Sequence, residues 1–433
     1  MQTKLERVAE ISTYNTKAVF TSLYHLLNEE LLMECHRELD GKKAIGIDGV
    51  SKADYEGNLE ENIDSLVTRL KNKAYKPMPS LRKYIPKGNG KVRPLGIACY
   101  EDKIVQLALK KIVEAVYEPK FLDCMYGFRP QRGCHDALKS LNRSIERGKV
   151  NYVLDADIKG FFNNVNHEWM MKIVEVHIKD PNINRLILKY LKAGIMEEGV
   201  YEDTKEGTAQ GSNLSPVLSN MYMHYALTLW FYKVIKPQIK GECYIIVYAD
   251  DFVCCFQYKW EAERFLEMLK ERLKKFNLEL EQTKTRLIEF GRFAKTGRMK
   301  RKEGKPETFD FLGFTHYCSE SRNGKFRVKR RTSRKKFTAK VRDFKEWIKK
   351  NRTLKVSVLI DQINTKLIGH YRYYGITDNG GMIRQFKHEI KMLLYLWLNR
   401  RGQRKSYTWE RFDRLMKFHA LAKPKIYVSI FDM

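Results

Sequence analysis

Residues 243–256 read Cys-Tyr-Ile-Ile-Val-Tyr-Ala-Asp-Asp-Phe-Val-Cys-Cys-Phe, and this stretch decides the fold. The apolar segments that flank residues 248–251 predict two buried strands joined by a tight turn, with Asp250 and Asp251 at its tip. Asp is common in turns, so an isolated Asp-Asp pair is ordinarily a polar turn. Adjacent carboxylates between buried strands repel each other, and a bound divalent cation relieves that repulsion. A third carboxylate at the same place would therefore indicate metal-ion chemistry.

A third carboxylate ends a second strand pattern. Residues 152–158 read Tyr-Val-Leu-Asp-Ala-Asp-Ile, an alternation that puts Asp155 and Asp157 on one face of a predicted strand. Neighbouring strands of one sheet can bring Asp157 beside Asp250, although the two are far apart in the chain. Such a trio would hold two Mg²⁺ ions for an in-line displacement at phosphorus. Because Mg²⁺ takes few protein ligands, no larger cage has to be visible in the sequence.

Seven segments, in this order and spacing, resemble the motifs of reverse transcriptases. In particular, the chain resembles bacterial group II intron-encoded reverse transcriptase/maturases over most of its length. The segments are residues 85–97, residues 126–130, Asp157 with Phe162, residues 207–216, residues 248–251, residues 282–285 and residues 311–314. One departure is Ala209, where many relatives have proline, and it concerns the stiffness of a loop rather than the chemistry.

The resemblance implies an α+β fold of the right-hand polymerase type, in which fingers and palm surround an antiparallel sheet and a helical thumb follows. It divides the chain into an N-terminal extension with fingers (1–145), a palm (146–318), a helical thumb or maturase domain (319–398) and a basic C-terminal extension (399–433). That extension is either a short DNA-binding segment or the end of the thumb. The pattern also predicts helices over residues 102–117 and 261–276 and an exposed loop over residues 292–305.

For the site, the resemblance implies that Asp157, Asp250, Asp251 and the carbonyl of Ile158 hold two Mg²⁺ ions. It also implies nucleotide contacts, which would be made by Lys87, Arg93, Phe162, Gln210 and Lys284. A phenylalanine under the sugar leaves no room for a 2′-hydroxyl, so DNA would be the product. Each contact has a plainer alternative: a solvated hairpin for the cations of residues 85–97, a core ring for Phe162, and a solvated side chain for Lys284.

Length and composition fit a globular protein of two or three domains. The chain has 433 residues, of which 43% are apolar and 31% charged. No stretch is apolar enough for a membrane span and residues 1–10 lack a secretory signal pattern, so we expect a cytoplasmic protein without membrane contact. Eight cysteines without Cys-x-x-Cys spacing predict free, mostly buried thiols.

The net charge of +29 is concentrated near the C-terminus. Residues 321–433 contain 30 Lys and Arg against eight Asp and Glu, and residues 327–342 contain nine basic residues. A region this basic usually meets nucleic acid, although a single charged helix face is usually only solvated. Rings in residues 370–374 could stack on RNA bases or form a small core. The predicted nucleic-acid contacts are Arg330, Arg331, Lys335, Lys336, Tyr371 and Arg372.

The sequence therefore predicts an RNA-directed DNA polymerase of the group II intron type. Its expected partners are an RNA template, the intron RNA, a DNA primer or target, and dNTPs, and a homodimer stays open. Two alternatives remain: an RNA-binding splicing maturase as the main role, or a reverse transcriptase recruited to phage defence or DNA repair. The last has the same catalytic needs, so the residues alone do not separate it.

Overall fold

A computed structural model describes residues 2–88, 91–197, 199–204, 206–208, 210–402 and 406–431. The helices are α1 Gln2–Tyr14, α2 Glu29–Glu38, α3 Lys52–Glu56, α4 Leu59–Lys71, α5 Tyr100–Tyr117, α6 Cys134–Arg147, α7 His167–Glu175, α8 Pro181–Leu191, α9 Ser215–Met223, α10 Lys259–Lys275, α11 Ala294–Lys300, α12 Arg334–Asn351, α13 Val356–Tyr374, α14 Gly380–Leu398 and α15 Trp409–Phe418. The strands are β1 Ser80–Gly88, β2 Lys91–Ile97, β3 Tyr152–Asp157, β4 Ile195–Glu197, β5 Val200–Glu202, β6 Cys243–Tyr248, β7 Asp251–Phe256, β8 Arg286–Glu289, β9 Phe309–Phe311, β10 Phe314–Glu320 and β11 Phe326–Thr332. The mixture confirms the predicted α+β class.

The central sheet has the strand order β6-β7-β3-β8, and all its neighbours are antiparallel. Side chains alternate between its two faces, so Leu154 and Cys254 enter a large core with the N-terminal helices, while Val153 and Val253 enter a second core. Burial on both faces explains why these strands are nearly continuous apolar runs. The predicted strand at 152–158 and the predicted hairpin at 243–256 are thus confirmed.

A second sheet, with the order β2-β1-β4-β5, lies on the N-terminal side. Strands β1 and β2 form the hairpin predicted for residues 85–97, and its tip at residues 89–90 lies outside the described residues. Helices α1, α2 and α9 pack on the long helix α5, whose apolar residues are buried in the large core. Asp180 ties the region together, because its carboxylate caps α8 and also accepts the backbone N–H groups of Leu23 and Tyr24.

The third sheet, β11-β10-β9, packs with α6 on the second face of the central sheet. Helices α12 to α15 then form a core of their own around Phe344, Leu367, Phe386 and Phe412. The last described residues return to the second core, where Val428 pairs with Ile376 and Ile430 is buried. The boundaries predicted at 145/146 and 318/319 fall inside α6 and β10, respectively.

Two further findings concern the sequence expectations. The loop predicted over residues 292–305 contains helix α11, so that prediction is wrong in part. All eight cysteines are free thiols, as predicted. Within the described ranges, none of the helices combines the length and apolar character that crossing a bilayer requires.

Candidate active site

The three predicted carboxylates come together at one end of the central sheet. Asp157 and Asp251 are direct cross-strand partners in the antiparallel pair of β3 and β7, and Asp250 lies in the turn immediately before Asp251. Directly opposed residues of such a pair have Cβ atoms about 5 Å apart. The fold therefore brings together acids from two distant parts of the chain.

Burial and mutual repulsion make this end of the sheet a poor place for negative charge. The pKa of Asp251 rises to about 7, chiefly because the side chain is buried and then because Asp250, Asp157 and Asp155 lie nearby. Burial also raises the pKa of Asp155 to about 6. Cations oppose both effects: the Lys284 ammonium forms an ion pair with Asp157, and Arg286 lies 3.6 Å from Asp155.

The donor set fits Mg²⁺, which prefers a few carboxylates completed by substrate oxygens and water. In the described part of the chain, no group of three or more His, Cys, Asp or Glu side chains is placed so that these side chains alone could hold a metal ion. Lys284 instead supplies the positive charge beside Asp157. The carbonyl of Ile158 faces away from its bridge partner Leu280, because the hydrogen bonds of that bridge are made by the neighbouring residues.

The turn that carries Asp250 rests on residues 126–130. Ala249 has a left-handed φ of 57°, and a Cβ on Gly127 would lie 2.3 Å from its backbone nitrogen. The Tyr126 N–H donates to the Val247 carbonyl at 2.9 Å, and the Asn220 side chain donates to the Gly127 carbonyl at 2.8 Å. Residues 126–130, which the sequence assigns to the fingers, therefore lie against the turn that carries Asp250.

Phe162 and the loop that contains Gln210 line a cavity of about 200 Å³ next to the carboxylates' strand. Phe161 is the fully buried ring of the pair, whereas Phe162 is half-buried. The Gln210 carbonyl accepts the N–H of Gly96 at 2.7 Å. At Gly211 the φ of 109° and a backbone oxygen 2.8 Å from an added Cβ both require glycine.

Two of the remaining predicted nucleotide contacts are less enclosed. Arg93 is exposed on β2, and Lys284 is 58% exposed above Asp157. The side chain of Lys87 lies outside the described residues.

Gln106 is a site residue that the sequence reasoning missed. It is buried on α5, and its Oε1 accepts hydrogen bonds from the Ser212 hydroxyl at 3.0 Å and from the Asn213 N–H at 3.2 Å. It therefore holds the loop that follows Gln210. The available signal was a pair of polar residues, Asp102 and Gln106, one helical turn apart on an otherwise apolar stripe.

Two of the predicted nucleic-acid contacts are wrong. Arg330 is fully buried and donates to the Asn142 side chain and the Val328 carbonyl, both at 2.6 Å. Tyr371 is fully buried in the core of the C-terminal helices. Residues 327–332 lie in strand β11, so Arg330 points inward while its neighbour Arg331 is exposed. Lys335, Lys336 and Arg372 are exposed, as a nucleic-acid contact requires.

Comparison with known proteins gives two family matches. Residues 85–316 match the family described as "Reverse transcriptase (RNA-dependent DNA polymerase)", and residues 334–416 match "Group II intron, maturase-specific domain". The first match contains the carboxylate cluster and the Gln210 loop, and the second covers α12, α13, α14 and most of α15.

Three curated proteins illustrate the similarity. "Group II intron-encoded protein LtrA" of Lactococcus lactis subsp. cremoris is 41% identical over 222 residues, which is 51% of this chain and 37% of LtrA. "Protein YkfC" of Escherichia coli (strain K12) is 36% identical over 189 residues, 42% of this chain and 49% of YkfC. An "Uncharacterized 91 kDa protein in cob intron" of Schizosaccharomyces pombe is 33% identical over 224 residues, 51% of this chain and 28% of that protein. The aligned part of the chain thus spans less than half the length of each relative.

Proposed function

The chain belongs to the reverse transcriptase (RNA-dependent DNA polymerase) family, and from this premise we propose that it extends a primer on an RNA template with dNTPs. The observation that carries the proposal is the direct opposition of Asp157 and Asp251 across β3 and β7, with Asp250 in the adjoining turn. The resulting crowding of negative charge suits a site that takes up divalent cations together with a nucleotide.

In this proposal Asp157, Asp250, Asp251 and the Ile158 carbonyl hold two Mg²⁺ ions. When bound, the metal ions supply the charge that activates the primer 3′-hydroxyl and stabilises the leaving pyrophosphate. Lys284 neutralises Asp157 before the nucleotide arrives and is then available to the leaving group, a role that its ion pair with Asp157 supports.

The nucleotide itself is bound by residues of two sheets. Arg93 and Lys87 contact the triphosphate from the β1–β2 hairpin. Phe162 lies beneath the sugar and excludes a 2′-hydroxyl, which selects dNTPs. The Gln210 loop closes the other side of the nucleotide, and its clamping by Gly96 and Gln106 supports this role because both keep its backbone in one position.

We assign residues 1–145 to the N-terminal extension and fingers, 146–318 to the palm, 319–398 to the thumb and 399–433 to a C-terminal extension. The shared core of Phe412 and Leu421 with α13 and α14 favours counting that extension as part of the thumb rather than as a separate DNA-binding segment.

The test of the polymerase is the replacement Asp250→Asn, which keeps the size of the side chain and removes its charge. Primer extension on an RNA template should fall by more than the about 100-fold that loss of a group orienting a metal ligand can cost. Binding of the same RNA should stay within twofold of the unsubstituted protein. The control Asp64→Asn, at an exposed carboxylate of α4, should retain full activity. Normal extension by the Asp250→Asn protein would refute the assignment.

A second candidate function is assistance of intron RNA splicing. It is supported by the match of residues 334–416 to the maturase-specific domain and by the exposed cations Arg331, Lys335, Lys336 and Arg372. The same match favours an intron-linked role over recruitment to phage defence or DNA repair.

Truncation after residue 320 would be a poor test of splicing assistance, because it would remove strand β11 and the fully buried Val328. Replacing Lys335 and Lys336 with glutamine leaves the core intact. We expect the salt dependence of intron RNA binding to weaken by about one unit of slope per lost phosphate contact, together with reduced splicing. Unchanged splicing and unchanged RNA binding would contradict this role.

A further inference from the structure

A second charged region lies where the segment 291–308, which includes α11, faces the β10–β11 hairpin. Between them is a groove of about 1430 Å³, called the rear groove below. Its walls include Arg147, Lys302, Lys305, Tyr317, Lys325 and Arg331.

The rear groove is separated from the carboxylates by the length of strand β3. Asp157 ends β3, whereas Tyr152 begins it and pairs with Glu289 at the end of β8. After Glu289, the N–H of Phe290 donates to the Asn151 carbonyl, and the next residue, Gly291, lines the groove. A six-residue strand is roughly 17–20 Å long, so the two regions are distinct sites.

The carboxylates of the rear groove are already neutralised within the protein. Glu146 accepts the Val328 N–H at 2.8 Å and faces a guanidinium at 3.6 Å. Glu303 pairs with Arg301 at 3.0 Å, and Glu320 pairs with Lys295 at 2.8 Å. None of the three is therefore left to balance the other cations of the groove.

Six exposed cations of the rear groove form no ion pair among the described residues. They are Arg147, Arg292, Lys302, Lys305, Lys325 and Arg331. Lys302 and Lys305 come from the α11 side and Lys325 and Arg331 from the hairpin side, so positive charge lines both walls. Cations held around one groove repel each other over a screening length of about 8 Å, and a polyanion that enters the groove removes this repulsion.

Aromatic surface accompanies these charges. Tyr317 and Phe326 line the rear groove, and the Arg331 guanidinium lies 5.8 Å from the centre of the Tyr317 ring. Met299, with 74% of its surface exposed, adds an apolar edge. Cations that follow a phosphate backbone, combined with rings on which bases can stack, are what proteins use to bind single-stranded nucleic acid without strict sequence preference.

We propose that the rear groove binds single-stranded RNA, in addition to the primer and template bound at the carboxylates. The choice of RNA rests on the proposed function, in which RNA is the polymer that this chain handles. An acidic peptide would satisfy the cations, but it would make no use of the half-buried rings that line the groove.

The test is a protein in which Lys302, Lys305 and Lys325 are all replaced with glutamine. None of these side chains is buried or ion-paired, so the fold should be unaffected. The affinity for a fluorescently labelled single-stranded RNA of mixed sequence is measured by anisotropy at several salt concentrations. An excess of unlabelled primer–template duplex is present to fill the catalytic cleft. We expect the Kd to rise at least about tenfold and the salt slope to fall by about 2, as three lost phosphate contacts on a single strand predict.

The matched control replaces Lys240, Lys274 and Lys275 with glutamine. These exposed lysines lie at and before α10, outside the rear groove, and the same amount of charge is removed. An equal loss of affinity in both proteins would show that the effect comes only from the lower net charge, and it would overturn the proposal. Unchanged binding by the groove variant would also overturn it, as would equally tight binding of polyglutamate to the unsubstituted protein.

The proposal of RNA binding in the rear groove and the proposal of polymerase activity can be refuted independently. The groove variant should extend a pre-annealed primer at the normal rate, whereas Asp250→Asn should bind the labelled RNA normally and extend nothing. Normal RNA binding by the groove variant in an active polymerase would refute the rear groove alone. An inactive chain whose RNA binding depends on the three lysines would refute the polymerase alone.

Discussion

The two ends of strand β3 carry opposite charges, and they differ in how the sequence encodes them. At one end, three carboxylates lie in two short motifs, residues 155–157 and residues 248–251. At the other end, the cations of the rear groove are scattered from Arg147 to Arg331 with no motif. A reaction at phosphorus requires geometry fixed to about 0.5 Å, whereas attraction of a polyanion acts over a screening length of about 8 Å. The carboxylates are therefore recognisable from two short motifs, although only the fold brings these motifs together, while a binding surface can be spread along the chain without a motif.

The largest expected effect comes from disturbing the backbone under the carboxylates without touching a charge. In Gly127→Ala, the new Cβ would overlap the backbone nitrogen of Ala249, so the turn that carries Asp250 must move. A displacement of about 1 Å can lower a rate by about 100-fold, and we expect primer extension to fall by that order. The midpoint of thermal unfolding should fall as well.

Gly381→Ala is the control for that change. An added Cβ there meets nothing within 4 Å, and Gly381 lies at the exposed start of α14. This protein should gain up to about 1 kcal/mol of stability, because alanine favours a helix more than glycine does. If Gly127→Ala had the unfolding midpoint and the activity of the unsubstituted protein, the negative end of β3 would not depend on fixed geometry.

The same contrast explains what the sequence could predict. The strand at 152–158 and the hairpin at 243–256 were found because alternation and adjacent acids are local signals. The inward direction of Arg330 does not follow from the sequence, because residues 327–342 show only a dense run of basic residues. The alternation of inward and outward side chains appears only when residues 326–332 pair with β10. The support of Ala249 by Gly127 and the assembly of the rear groove are contacts between distant segments. A single sequence contains no periodic signal for such contacts.

A second prediction asks whether burial or the crowding of carboxylates is the main cause of the raised Asp251 pKa at the negative end of β3. Burial is also the main cause that raises the pKa of Asp102 to about 6, but that carboxylate lies on α5, hydrogen-bonded to Tyr75 and to the Met78 N–H. Because this pKa is above the unfolded value of about 4, the protonated form is favoured by folding. The free energy of unfolding should therefore lose up to about 2 kcal/mol as the pH rises from about 4 to about 6, and then level off.

Asp102→Asn isolates this contribution, because the amide keeps an acceptor for Met78 and cannot ionise. The difference in unfolding free energy between the two proteins, measured by urea titration from pH 4 to pH 7, should change across that window only. A constant difference over the whole range would mean that burial alone does not shift a carboxylate of this fold, and crowding would then have to account for Asp251.

A third prediction concerns the loop that faces Phe162. Gln106→Met deletes the acceptor of two hydrogen bonds while keeping the volume of the side chain. Loss of about 1.4 kcal/mol of positioning would raise the KM for dNTP about tenfold and change kcat less. Gln238→Met, an exposed replacement of the same chemistry, should leave both constants unchanged. If Gln106→Met instead lowered kcat and left KM unchanged, Gln106 would support the fold rather than the nucleotide site.

The smallest expected effect comes from removing the hydrogen bond by which the C-terminal helices hold the turn at Leu312 and Gly313. The Tyr373 hydroxyl donates to the Leu312 carbonyl at 2.9 Å, in a turn where Leu312 and Gly313 both have positive φ. The Tyr371 hydroxyl donates to the Ala422 carbonyl at 3.3 Å, within the helical region itself. Removing either hydroxyl with phenylalanine should cost about 1 kcal/mol of stability, since each change deletes one neutral hydrogen bond.

Only Tyr373→Phe should slow primer extension, by a few-fold, because the turn at Leu312 adjoins β9, whose Asp310 acts on Asp155 at the negative end of β3. Neither change reaches the rear groove, so single-stranded RNA should bind both proteins equally. If Tyr371→Phe slowed extension as much as Tyr373→Phe, the helices would influence catalysis through their overall stability and not through the turn. The dependence on local geometry would then be confined to the carboxylates and to the backbone beneath them.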